Sequence, residues 1–158
     1  MSLTIRRVVT GHDENGRAVI TIDEICRNVI SRRPGHESCM IWSTASFPSD
    51  NSVAEDGGAR TVASTDPAGS VFRIIAYGPG VAPRNHRTES VDYAAVLSGE
   101  IDMELDGSSV HLRAGDVLVQ RGTIHNWVNR GTEPCIIAFV LIAAAPVDRA
   151  GHLLGATG

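Results

Sequence analysis

At 158 residues the chain has the length of about one domain, enough to bury a core, and 14 Lys and Arg against 18 Asp and Glu give a net charge of −4. With no basic run, that balance argues against nucleic acid or an anionic membrane as a partner. Aromatic residues make up only 4% of the chain, so a ligand pocket is expected to be lined by aliphatic and polar groups more than by rings. Met1 to Thr10 lacks the apolar core of a signal peptide, and no later apolar run approaches the roughly 20 residues that span a bilayer. The expected location is therefore cytoplasmic.

Residues 1–42 carry short β-favouring stretches, among them Arg17 to Ile22 and Glu37 to Trp42, set apart by the turn formers Asp13-Glu14-Asn15-Gly16 and Arg33-Pro34-Gly35. From Ser43 to Ser70 the composition shifts to Ser, Asp, Ala and Gly, which reads as one long loop and a candidate cover for a pocket mouth. After Ser70 the predicted strands follow closely: Val71 to Tyr77, Val91 to Leu97, Ile101 to Leu105, Val110 to Leu112, Val117 to Gln120, His125 to Val128 and Cys135 to Ala143. Turn signals this dense suit antiparallel β structure in a sandwich or barrel, with Asp106-Gly107 and Arg130-Gly131 as hairpin turns. Residues 144–158 are small and Gly-rich and are expected to form a frayed, flexible tail. The three cysteines, Cys26, Cys39 and Cys135, have no metal-binding or pairing spacing and are expected to be free, partly buried thiols.

Two spaced signatures lie within the strand-rich half. The first is Gly80, five residues, His86, one residue, Thr88, three residues, Asp92, six residues, Gly99. The second is Gly115, Gln120, Gly122, His125 and Asn129. Together they resemble the two motifs of the cupin superfamily, with Thr88 in place of a second His, Asp92 in place of Glu, Gln120 in place of Pro, and one residue fewer after Gly115. The resemblance covers about residues 70–142. It implies an all-β fold, an antiparallel double-stranded β-helix of the jelly-roll type, here a single domain over 1–158 with additional N-terminal strands. Fold does not fix activity, and such barrels serve enzymes and binding proteins alike.

Strand parity places side chains two apart on one face, so His86 and Thr88 point together, as do His125, Trp127 and Asn129. The resemblance implies that the barrel brings His125 across to His86 and Asp92. Two imidazoles and a carboxylate would then hold a divalent ion, Fe, Mn, Zn or Ni, with open positions for substrate or oxygen. Thr88 departs from that pattern because a neutral hydroxyl is a poor ligand, and the shorter Asp92 either reaches the ion or caps backbone amides. Thr88 reads as a hydrogen-bonding or packing residue. The strand from Val71 to Tyr77 puts Arg73 and Tyr77 on one face and Phe72, Ile74 and Ala76 on the other. If the apolar face packs against a sheet or a second copy, Arg73 turns inward and can pair with a substrate carboxylate; otherwise it lies on a solvated face. Trp127 reads as a pocket wall or core residue and Gln120 as a lining residue at the mouth. His12, His36, His111 and His152 have no partner at ligand spacing and read as surface residues.

Two functions follow. The first is a metal-dependent enzyme acting on a small organic acid or aromatic metabolite by oxygenase, isomerase or decarboxylase chemistry. The second is a metal-free protein whose lumen binds a small molecule without turning it over. Exposed sheet edges favour pairing, so a homodimer is expected.

Overall fold

Alternation of inward and outward side chains organises the chain into strands, and no helix occurs among the described residues. The computed structural model describes residues 3–158. The strands are β1 (Arg6–His12), β2 (Ala18–Ile25), β3 (Val29–Arg33), β4 (His36–Thr44), β5 (Ser70–Tyr77), β6 (Ser90–Ser98), β7 (Glu100–Leu105), β8 (Ser108–Arg113), β9 (Val117–Arg121), β10 (Asn126–Val128), β11 (Cys135–Ala143), β12 (Val147–Arg149) and β13 (His152–Leu154). A six-stranded sheet in the order β3-β4-β5-β11-β6-β9 faces a three-stranded sheet in the order β10-β7-β8, and β1-β2 and β12-β13 form separate hairpins. This is the antiparallel double-stranded β-helix, with extra strands at the N-terminal end.

The core lies between the two sheets because the strands that form them turn alternate residues inward, most regularly in β6 and β11. In β11, Cys135, Ile137, Phe139 and Leu141 point inward; in β7, Ile101 and Met103 do; Trp127 of β10 and Leu112 of β8 join them. Ile137 is fully buried, and trimming it to Ala would cost about 2–5 kcal/mol. The opposite face of β5 forms a second core, in which Ile74 and Ala76 pack with Leu3, Cys26 and Cys39. The N-terminal segment thus covers the outer face of β5, and this turns Arg73 and Tyr77 toward the lumen. All three cysteines are free and buried.

Turn chemistry locks the register. Gly99 joins β6 to β7 with φ of +75°, and a Cβ there would lie 2.4 Å from the Pro134 carbonyl oxygen, so only glycine fits. Asp106-Gly107 makes the β7-β8 hairpin as expected. Arg130-Gly131 does not make a hairpin. β10 pairs with β7 and β11 with β5 and β6, so this turn carries the chain from one sheet to the other. Local composition signals a turn but not which sheet receives the next strand.

The long connection after β4 is anchored along its second half. Arg7 donates to both Asp56 carboxylate oxygens at 2.8 Å, Ser43 Oγ donates to Gly57 O at 2.8 Å, and Arg60 pairs with Asp66 at 3.0 Å. The expected frayed tail is instead structured. Residues 147–154 fold as the β12-β13 hairpin, Arg87 and Thr157 exchange backbone hydrogen bonds, and the Arg84 guanidinium donates to Gly158 O at 2.8 Å. Val147 and Leu154 supply the apolar contacts that the small-residue composition concealed. Together with Met103, Leu105 and Leu118 they line a cavity of about 700 Å³ beneath this hairpin.

Candidate functional site

A second cavity, of about 420 Å³, opens between the sheets, and the sequence-predicted residues Arg73, Tyr77, His86, Thr88, Asp92, His125 and Trp127 all line it. Each arrives by strand parity. Arg73 and Tyr77 project from β5, Asp92 from β6, and Trp127 from β10. His86 lies outside the named strands and is held by a two-way backbone bridge, N–H to O at 3.0 and 2.9 Å, to His125. That bridge sets the two imidazoles with ring centroids 4.2 Å apart.

The His86 tautomer follows from the carbonyl that its ring meets. His86 Nδ1 lies 3.1 Å from Arg84 O, and a carbonyl only accepts, so Nδ1 carries the proton there and Nε2 is the basic nitrogen. His125 Nδ1 meets both the Thr123 carbonyl at 3.0 Å and the Gln120 amide nitrogen at 2.8 Å, an acceptor and a donor that favour opposite tautomers. Burial lowers the His86 pKa. It also takes His125 to about 4, with the neighbouring His86 adding to the effect. Both imidazoles are therefore neutral at pH 7.

Asp92 does not turn to the imidazoles. The Ser90 hydroxyl donates to its carboxylate, and the Ser90 and Thr88 hydroxyls are themselves paired at 2.9 Å. Gln120, opposite Asp92 in the β6-β9 register, places its amide nitrogen 3.5 Å from Asp92 Oδ2 and 3.2 Å from His125 Nε2. Burial raises the Asp92 carboxyl to about 6, against the lowering effects of Ser90 and Arg73. Gln120 is a buried bridging residue, whereas the sequence suggested the mouth. Thr88 acts as a hydrogen-bonding residue, as its chemistry implied. The expected His86/Asp92/His125 ligand set is not assembled: among the described residues no group of three or more His, Cys, Asp or Glu comes together as metal ligands. Ser90 and Gln120 instead hydrogen-bond the expected third ligand, the Asp92 carboxylate.

Arg73 is only 8% exposed and has no carboxylate within ion-pair reach among the described residues. One NH2 group donates to Ala63 O at 2.9 Å, and Nε has no partner. Burial lowers its pKa to about 10, so it remains a cation at neutral pH.

Sequence reasoning missed His36. It is buried in the cavity wall, not on the surface, and burial takes its pKa to about 4. The turn at Pro34-Gly35 drew it outward in the reading, but β4 alternation and its register opposite Tyr77 point it in. The low aromatic content also misled. Tyr77 stacks on Trp127 at 5.9 Å, Phe139 meets Trp127 edge-on at 5.6 Å, and His36 meets Tyr77 edge-on at 5.6 Å, so the few rings present gather on inward positions. Asn129, the last residue of the second signature, is structural: its amide donates to Tyr77 O and Glu133 O, each at 2.8 Å. His111 stands on the outer face of β8 beside Asp102, as expected.

With this geometry in place, the cupin domain family model matches residues 72–142. A cupin-domain-containing oxidoreductase of Aspergillus ruber, fogC, is 36% identical, the match covering 86% of this chain and 71% of that protein. This chain belongs to the cupin family. The phomopsin biosynthesis cluster protein C' of Diaporthe leptostromiformis is 39% identical to this cupin over 96% of its length and 85% of the relative's. Among solved structures, the polyketide cyclase RemF of Streptomyces resistomycificus superposes with a TM-score of 0.52 at 15% identity, over 83% of this cupin and 78% of RemF, a likeness of fold alone.

Proposed function

We propose that this cupin is an enzyme of small-molecule biosynthesis that acts on an organic acid bound in the 420 Å³ lumen. The observation that carries the reading is the placement of two neutral imidazoles and one buried guanidinium without an ion-pair partner around one cavity. Arg73 holds the acid group, because an unpaired buried cation favours an anionic partner. Trp127 and Phe139 offer apolar ring surface to the body of the substrate. Nε2 of His86 or His125 accepts a proton from the bound acid's skeleton and returns it, the role of a general base. The biosynthetic setting is supported by the relatives, one named for a biosynthesis cluster and one named an oxidoreductase.

A second reading is favoured by a specific observation. An imidazole whose Nδ1–H is tied to a carbonyl has the orientation of a metal-ligating histidine. In that reading His86 and His125 hold a divalent ion, iron, manganese, zinc or nickel, and Asp92 stays with Ser90. The ion would supply Lewis acidity or redox capacity. A non-catalytic small-molecule binder is the remaining outcome.

The test is to incubate the untagged protein with a panel of aromatic and aliphatic carboxylic acids and follow turnover by NMR and mass, with solvent-deuterium incorporation reporting mass-neutral proton transfer, alongside elemental analysis and a His86→Ala/His125→Ala double variant. Turnover that the double variant loses supports the enzyme. Near-stoichiometric metal that also disappears in the variant supports the second reading. Acid binding with no turnover, no deuterium incorporation and no metal overturns both.

A further inference from the structure

The cavity that holds Arg73 is lined by three more arginines, Arg32, Arg33 and Arg84, against the single carboxyl of Asp92. None of the four forms a side-chain ion pair among the described residues; Arg84 instead donates to Gly158 O at 2.8 Å. The chain carries an overall charge of −4, so the cationic lining runs against its net balance.

Unsatisfied polar atoms gather in the same place. Five buried side-chain nitrogens lack a hydrogen-bond partner, and three of them, Arg33 Nε, His36 Nδ1 and Arg73 Nε, belong to residues that line this cavity. Buried polar nitrogens are nearly always paired, so two orphaned guanidinium donors and one imidazole nitrogen around one space mark where a ligand supplies partners. The orphans are spread over the wall. Arg73 projects from the middle of β5 and is almost fully buried, whereas Arg33 ends β3 and Arg84 sits on the β5-β6 connection, both half-exposed.

We propose that the lumen takes a dianion with two separated carboxylate-type groups, one bound at Arg73 and the other between Arg33 and Arg84 at the entrance. The inference rests on the organic-acid reading of the same lumen and makes its substrate class specific. A monoacid at Arg73 leaves the Arg33 donor without an acceptor. A dicarboxylate meets both, and Tyr77, Trp127 and Phe139 line the same cavity. Guanidinium suits this because its planar fork pairs with a carboxylate through two parallel hydrogen bonds. The entrance charge also raises the local concentration of an anionic substrate.

Titration calorimetry with benzoate, isophthalate and terephthalate tests the proposal on the purified full chain. At least one dicarboxylate is expected to bind about tenfold or more tightly than benzoate, an advantage that weakens with added salt. Arg33→Gln and Arg84→Gln are each expected to shrink the ratio of the two affinities, and the double variant to bring it close to one. Arg73→Gln is expected to weaken all three acids. Unfolding midpoints confirm that each variant is folded, and Arg33→Lys restores part of the ratio because it restores charge without the fork. Equal affinity for benzoate and both dicarboxylates, with binding still dependent on Arg73, overturns the dianion and leaves the organic-acid reading standing. A dicarboxylate advantage that survives the Arg33→Gln/Arg84→Gln double variant likewise overturns it. Failure of all three acids to bind overturns both.

Discussion

His86 and His125 exchange both of their backbone hydrogen bonds, and the bridge brings their ring centroids to 4.2 Å. Two residues nearly forty positions apart in the chain thus meet as neighbouring imidazoles, with His86 Nδ1 held by the Arg84 carbonyl and its Nε2 left basic. Changing either imidazole to Gln keeps hydrogen-bonding capacity but removes the titrating nitrogen. Turnover of an accepted acid is expected to fall by about 10²–10⁴-fold in each variant. The double variant should fall little further than the worse single one, as expected for groups acting together.

Buried imidazoles make stability depend on pH. His36 and His125 have an ordinary value of 6.5 and titrate near 4 in the fold, so below pH 6.5 the unfolded chain binds the more protons. Their contribution is complete above 6.5 and is lost as pH falls toward 4. Asp92 acts in the opposite sense, because its carboxyl moves from 3.8 up to about 6; its contribution is complete below 3.8 and is lost as pH rises through 6. Two histidines outweigh one aspartate, so the unfolding midpoint should drop between pH 6.5 and 4.5. His125→Gln should flatten this slope and Asp92→Asn should steepen it, by thermal or urea unfolding across the range.

Arg73 sets function against stability. A buried guanidinium with one carbonyl partner and an orphaned Nε costs desolvation that its contacts do not fully offset. Arg73→Met is expected to leave the unfolding free energy unchanged or raise it by on the order of 1 kcal/mol, while binding of organic acids is lost. A large destabilisation on urea unfolding would show Arg73 to be a structural residue.

Asn129 should behave in the reverse manner. Its side chain satisfies Tyr77 O, Glu133 O and the Gly131 amide, tying the end of β5 to the turn between the sheets. Asn129→Ala leaves those buried groups unpaired and should destabilise by about 2–4 kcal/mol, read as a lowered urea midpoint.

A homodimer is proposed from the edge of the six-stranded sheet. β9 ends that sheet with Val117 77% and Val119 59% exposed, beside Tyr93 of β6 at 50%. Such an edge is a pairing hazard unless covered. Light scattering at micromolar concentration should give about 34 kDa, twice the 16.8 kDa of one chain. Val119→Lys should return the value to that of one chain.

The two signatures made the barrel and most of its lumen legible, because glycine turns and period-two alternation are local properties. Arg73 and Tyr77 could be placed inward only once something covered the other face of β5, and Leu3, Cys26 and Cys39 do so. What stayed hidden depended on pairings distant in the chain. His36 became a lumen residue through its register with Tyr77, Gln120 through its place opposite Asp92, and the last fifteen residues through their contacts with Arg84 and Arg87. For Asp92 the sequence left open a metal ligand or a cap on backbone amides, and its carboxylate instead meets the hydroxyl of Ser90 two residues before it.

The account is tested most directly by a crystal structure of this cupin with a bound organic acid from the turnover panel. It predicts a carboxylate on the Arg73 guanidinium and the reacting carbon within reach of His86 or His125 Nε2. An acid lodged in the cavity beneath the β12-β13 hairpin, or a lumen acid whose carboxylate avoids Arg73, would contradict it.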